Sequence, residues 1–475
     1  MRLKRLLWAL AVFYLPLVSQ AQEKKDSVMK FSLEEAKAYA LVNSPVIKNA
    51  TLDLEAAKKK IWETTAIGLP QVNAKFSYSY MPELSATVQE FSNIGSLMGY
   101  YFSPVYKSLG ILNNPSINTV IDSVRKAAAN TPTVSMNDLK WNSTLDITIS
   151  QLIFSGAYLV GLQTSKIYKG LSELALTKSQ YDLNESVTNA YFLVLVAREN
   201  KTLLDSTYIN TLQILYNMKK MFEQGFVEET DVQQLQLTTN TIKFSADMIG
   251  RQIGIAERLL KFQMGLDLNT TVILKDSING LLNSFDNNNI LLQNFTVENN
   301  VDYKLMDTQA KLMKMNLMLN KSAFLPDIAG FYQHENVYNK NALTFNPPQL
   351  IGISASLPIF TSGSRIVKVA QARISYDKAL NSKQLAADGL KMSFEESKSS
   401  YQSAIDNFKT AKENLKLSEI IYRRSVIKKQ EGTISSVELT QTQNQYLQSQ
   451  SNYFNSIITL ASAKAKLEKL LISAQ

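Results

Sequence analysis

Two glycine-to-glycine intervals of equal length constrain this chain more than any other feature. Gly156 and Gly225 stand 69 residues apart, and so do Gly363 and Gly432. From Arg365 to about Gln430 no proline interrupts the second interval. That leaves roughly 65 residues of helix, on the order of 100 Å at 1.5 Å per residue. Tyr401, Phe408, Leu415 and Tyr422 fall at seven-residue spacing on it, with Ile405 at a d-type position; this is a coiled-coil seam. The first interval carries the same seam as Val194, Tyr208, Leu215 and Phe222, with Lys201 the one polar exception. Each interval follows an alternating segment: Leu145 to Ser150 continuing to Ile153-Phe154, and Ile351 to Leu357 continuing through Pro358-Ile359-Phe360. Gly156 and the stretch Thr361–Ser364 read as the turns between strand and helix. Six residues past each closing glycine stands an acid, Asp231 or Glu438, and Ser435 or Ser436 can cap the helix that follows Gly432. A repeat in register over strand, helix and turn predicts two structural halves, about 27–264 and 291–475.

The remaining elements fit the same plan. Asp26–Val42 reads as a short helix with Ser32 and Glu35 as its capping box. Asn43-Ser44-Pro45 ends it and opens a second helix, to about Ala66, whose seam is Ala50, Leu54, Ala57 and Ile61. Its counterpart runs from about Glu298 to Ala323, with Met306, Ala310, Met313 and Leu317 at the same spacing. A methionine at such spacing is core filling rather than a ligand site. Both helices stop at Leu-Pro, at Leu69-Pro70 and Leu325-Pro326, and alternation follows. Strands are therefore expected near 71–80, 145–154, 328–334 and 351–360. Val72, Phe76, Tyr78, Ile147 and Ile353 would share one face, and Lys75, Ser77, Thr148 and Ser354 the other. The strand-to-strand loop Met81–Thr144 is long, with a short helix expected near Ile117–Ala129, and Glu335–Leu350 is short. Segment 265–294 reads as an irregular connection packed on the helices.

Residues 1–21 read as a secretory signal: Arg2, Lys4 and Arg5, an apolar run Leu6–Val18, and Ser19-Gln20-Ala21 as the cleavage site. The remaining basic residues are scattered, as at Lys58–Lys60, Lys219-Lys220 and Arg423-Arg424, which suits solvated helix faces and gives no nucleic-acid surface. The chain has no cysteine, hence neither a disulfide framework nor a lipid-anchored cysteine. No 18-residue apolar run follows residue 21, so a membrane crossing would have to use strands.

Nothing points to an enzyme, a cofactor or a metal. The one histidine, His334, reads as a rim or loop residue. The carboxylate pairs Glu34-Glu35, Glu228-Glu229 and Glu395-Glu396 are adjacent in sequence and do not share a helix face. Two structural readings compete. A periplasmic coiled-coil scaffold or adaptor explains the long helices but not four alternating strands. A membrane barrel explains both, and because four strands cannot close and open edges are not tolerated in lipid, it requires an oligomer.

The paired Leu-Pro helix ends, Gln151-Leu-Ile-Phe154 with Gly156, Pro358-Ile-Phe360 with Gly363, and the tips Gln224–Val232 and Glu431–Leu439 resemble the TolC-like outer-membrane efflux family over essentially the whole mature chain. The resemblance implies a mainly α fold with a small β part: a helical α-barrel of very long antiparallel coiled coils, plus four strands per chain contributing to a twelve-stranded transmembrane β-barrel in a homotrimer. A mixed equatorial layer would surround the helical tunnel. It implies a passive channel-tunnel in the outer membrane of a Gram-negative-type cell, embedded in outer-membrane lipid. Its partners would be a periplasmic adaptor (membrane fusion) protein and an inner-membrane transporter of RND, ABC or MFS type, serving efflux or type I secretion. Matched by position, Asp231, Glu438 and Gln441 fall on the periplasmic gate, and Gly225, Thr230, Gly432 and Thr433 on the tip turns that dock the adaptor. Gln441 replaces a second acid, Ile434 an arginine that links helix pairs, and Lys429 a tyrosine that does the same.

Overall fold

The computed structural model describes residues 28–80, 119, 141–286, 290–338 and 347–472. The expected signal at 1–21, most of the loop Met81–Thr144 and its expected helix near Ile117–Ala129 lie outside the described residues. No helix among those described is long and apolar enough to cross a membrane.

In chain order the elements are β1 (Met29–Phe31), α1 (Leu33–Asn43), α2 (Pro45–Ile67), β2 (Gln71–Tyr80), β3 (Trp141–Ser155), α3 (Gly156–Glu223), α4 (Glu229–Met264), β4 (Val272–Leu274), α5 (Ile278–Asp286), α6 (Val301–Ser322), β5 (Asp327–Val337), β6 (Gln349–Ser356), α7 (Ser364–Gln430) and α8 (Ser436–Leu471), with single 3-10 turns at Ile290–Leu292 and Val297–Asn299. The two long helices have 68 and 67 residues, as the glycine spacing requires. The chain forms two compact units: Met1–Glu55, Leu171–Asp307 and Asn381–Gln475 make the first, and Ala56–Gly170 and Thr308–Leu380 the second. Each unit takes segments from both expected halves.

The second unit contains a four-stranded antiparallel sheet in the order β2-β3-β5-β6. β3 and β5 are longer than their alternation suggested, starting at Trp141 and ending at Val337. β6 is shorter: it covers Gln349–Ser356, so Leu357 to Phe360 lie outside the strand. Pro358 has no N–H to give to a ladder, which accounts for the early end. Gly156 makes no turn either. β3 passes directly into α3, and a Cβ on Gly156 would lie 2.8 Å from Leu325 Cδ1 and 2.9 Å from Ser322 Cβ, so the residue is small because α6 ends against it. Only the second junction turns, at Ser362 (φ 48°) and Gly363 (φ 78°). His334 is not in a loop; it lies in β5, paired with Ile147 on one side and Gln349 on the other.

The first unit holds the main helical core. Tyr191, Phe192, Val194, Leu260, Met264, Phe454 and Ile457 are buried in it. The N-terminal helix starts later than Asp26, because Met29–Phe31 pairs in parallel with Val272–Leu274. Ser32 and Glu35 form the expected capping box on α1. Segment 265–294 is therefore not irregular: it supplies β4, α5 and a 3-10 turn, and Val272, Ile278, Leu282 and Ile290 enter the core. Tyr191 fastens this layer, its single hydroxyl hydrogen shared between Asp276 Oδ2 (2.9 Å) and the Phe31 carbonyl (3.1 Å). Most seam positions are buried or half-buried; the exceptions are Phe222 and Met306, 43% and 38% exposed in the single chain.

Candidate functional site

The site is built within the first unit from the C-terminal ends of α3 and α7 and the N-terminal ends of α4 and α8. Both long helices end in the same backbone device. The Gly225 N–H donates to the Phe222 carbonyl and the Phe226 N–H to the Met221 carbonyl; likewise Gly432 donates to Lys429 and Thr433 to Lys428. This is the Schellman pattern, and it needs a left-handed residue at the glycine. The observed φ values are 78° and 73°. No atom lies within 4 Å of a Cβ built on either glycine, so the requirement is one of backbone alone. Gly432→Ala should cost about 1–2 kcal/mol, the left-handed penalty, and Gly432→Asn much less. The expected outcome is faster amide exchange in residues 428–436 of an otherwise normally folded protein. Loss of the fold would instead make the glycine a core residue.

Two residues past each glycine the chain turns an apolar side chain inward. Val227 and Ile434 both pack on a second core formed by Ile214, Leu215, Met218, Leu235, Tyr422, Leu439 and Tyr446. Ile434 is thus the counterpart of Val227, a plug under the turn. Thr433 Oγ1 donates to the Lys428 carbonyl at 2.9 Å, and Thr230 Oγ1 to Glu228 Oε2 at 3.2 Å, so both threonines tie local backbone or side chain at the tip.

Asp231 and Glu438 occupy the third position of α4 and α8, where acids suit the helix dipole. Ser435, not Ser436, caps α8 by accepting from the Glu438 N–H at 3.1 Å; Ser436 is buried. From there the two acids differ. Glu438 and Gln441 are exposed in the single chain. Asp231 lies 3.8 Å from Lys429 Nζ, and Lys429 is only 7% exposed. This pair joins the α3/α4 hairpin to the α7/α8 hairpin. Lys428 lies in the last turn of α7 and is exposed.

A polar layer follows in the same core. Gln443 Nε2 donates to Thr211 Oγ1 at 2.7 Å, and Thr211 donates onward to the Thr207 carbonyl. Tyr422 and Tyr446 stack beside it, ring centroids 5.5 Å apart and nearly parallel. Burial pushes both phenol pKa values up. Leu439, Gln443, Tyr446, Gln450, Phe454 and Ile457 recur at three- and four-residue spacing. That periodicity, read through its glutamines, was the available sign that they point inward.

The profile of the family described as outer membrane efflux protein matches residues 38–242 and 298–471. Among solved structures the fold is similar to CusC (15% identity, TM-score 0.69, covering 93% of this chain and 92% of that one). It is similar to the outer membrane channel CmeC of Campylobacter jejuni (17%, 0.68, covering 92% and 85%). It also resembles the outer membrane protein VceC of Vibrio cholerae (14%, 0.66, covering 93% and 96%). At these identities the likeness establishes the fold. No curated protein sequence matches the chain significantly.

Proposed function

Because the chain belongs to the outer membrane efflux protein family, we propose that three copies close one twelve-stranded barrel and form the exit duct of a tripartite efflux or type I secretion system. The family makes the protein an outer-membrane efflux channel with a periplasmic tunnel. The observation that supports the trimer is the sheet itself. β2 and β6 are edge strands of a four-stranded sheet, and an open edge is not tolerated in lipid. β2 has 10 residues, which at about 3.4 Å each and a tilt of ~40° cover about 26 Å, the height of an outer-membrane apolar band. Trp141 packs its ring 4.3 Å from that of Tyr80 and 5.5 Å from that of Tyr78, an aromatic cluster at one end of the face, as at a membrane interface. A scaffold without a barrel leaves this sheet unexplained. Purification in detergent should give a heat-modifiable trimer; a detergent-independent soluble monomer would overturn the reading.

In that trimer the tips of α3 and α7 dock a periplasmic adaptor, which joins the channel to an inner-membrane transporter of RND, ABC or MFS type. Asp231, Glu438 and Gln441 line the periplasmic gate. Glu438 and Gln441 are exposed in one protomer, which leaves them free to meet their symmetry copies, whereas Asp231 is held by Lys429. Like charges gathered on one axis repel and attract cations. Glu438→Gln should therefore reduce cation preference and block by multivalent cations, and Glu438→Lys more so, in single-channel recordings. Unchanged block in both variants would leave Glu438 a helix-start residue only.

A further inference from the structure

The strand register assembles a charged row that the alternation pattern alone does not show. Lys75 pairs with Asp146 across β2 and β3, and Asp146 pairs with Glu335 across β3 and β5. Directly opposed residues of antiparallel strands share a face, so the three side chains stand in one line across three strands. Residues of alternate parity, Val72, Phe76, Leu145, Ile147, Ile149, His334 and Ile353 among them, make the other face. Among the described residues of these four strands every Asp, Glu and Lys lies on the first face: this row, and Asp327 at the start of β5.

We propose that Lys75, Asp146 and Glu335 form a selectivity ring inside the barrel, separate from the gate, that favours cationic solutes. The inference rests on the trimeric barrel proposed above. Asp146 and Glu335 are like charges opposed across a ladder, at about 5 Å between Cβ atoms, an arrangement that destabilises a sheet. Folding alone would select against it. Gln333 Nε2 donates to Asp146 Oδ1 at 3.3 Å, a single neutral contact. Three protomers would carry three lysines against six carboxylates, leaving the ring acidic.

Size decides whether such a ring is felt. Twelve strands about 4.8 Å apart and tilted ~40° give a backbone diameter of about 24 Å. Side chains reaching in by about 5 Å place the charges roughly 7 Å from the axis. The Debye length is ~10 Å in 0.1 M salt and ~3 Å in 1 M. The ring therefore acts across the whole lumen at 0.1 M and only at the wall at 1 M.

The test is the cation-to-anion permeability ratio of reconstituted full-length trimer, read from reversal potentials in potassium chloride gradients. In about 0.1 M salt Glu335→Gln should lower the ratio about twofold and Lys75→Gln should raise it by a similar factor, both effects fading near 1 M. As a second arm, Ser77→Cys lies on the same face in a chain that has no cysteine. Its reaction with an anionic sulfonate thiol reagent should raise the ratio without altering the fold. Opposite shifts that depend on salt support the ring. Unchanged ratios, or shifts of one sign in both charge variants, overturn it while leaving the channel intact. A wild-type trimer that forms no pore overturns the barrel reading and the ring with it.

Discussion

Arginine at Ile147 should nearly abolish the assembled trimer, and arginine one residue on, at Thr148, should leave it nearly untouched. Ile147 pairs with Ala74 and His334, on the face that carries no Asp, Glu, Lys or Arg. Ala74 is next to the midpoint of β2, so in the proposed barrel Ile147 falls near mid-membrane. A lipid-facing arginine there costs about 2–4 kcal/mol, incurred three times in a trimer. Thr148 pairs with Asn73 and Gln333 and stands one ladder step from Asp146 on the same face. An arginine at Thr148 points to water and toward a carboxylate. Heat-modifiable trimer in outer-membrane fractions is the readout. Equal yields from the two variants would reverse or remove the assignment of faces.

Asp231→Asn should open the tip more than Lys429→Met does, although the two remove the same ion pair. Their environments are unequal: the Lys429 side chain is 8% exposed and that of Asp231 28%. Removing the acid strands an ammonium in a nearly dry setting, and an uncompensated buried charge is costly. Removing the lysine leaves a carboxylate that water reaches, while methionine keeps the apolar stem in place. At 3.8 Å and with one partner hydrated, the pair contributes less than a fully buried one, about 1–2 kcal/mol. The expected result is a several-fold rise in mean conductance for trimers of Asp231→Asn, a smaller rise for Lys429→Met, and little additional effect in the double variant. Unchanged conductance in both single variants would make the pair a local brace with no part in gating.

The sequence by itself determined everything that is periodic or local. A proline-free run of heptads carries α7 through all 67 of its residues. Ser32 and Glu35 mark a helix start because the capping box closes within four residues. Gly225 and Gly432 announce left-handed turns because no other residue enters that region cheaply. Strict alternation in Val72 to Tyr80 predicts two faces wherever the strand is placed. What the tertiary structure alone decided involves partners distant in sequence. β1 and β4 are three residues each, too short to display a period, and become strands only because Met29 meets Val272. His334 looks like a rim residue until Ile147 and Gln349 flank it. Lys429 stands by resemblance where a tyrosine links helix pairs, and as a lysine near the tip it is a candidate partner for the gate acids, but that its partner is Asp231 of the other hairpin appears only when the two come within 4 Å. The row of Lys75, Asp146 and Glu335 exists only through the register, since its members are separated by 71 and 189 residues. Local patterns record which face a side chain takes. Which distant charge it then faces depends on strand order and helix pairing, and those are set by burial of the whole chain.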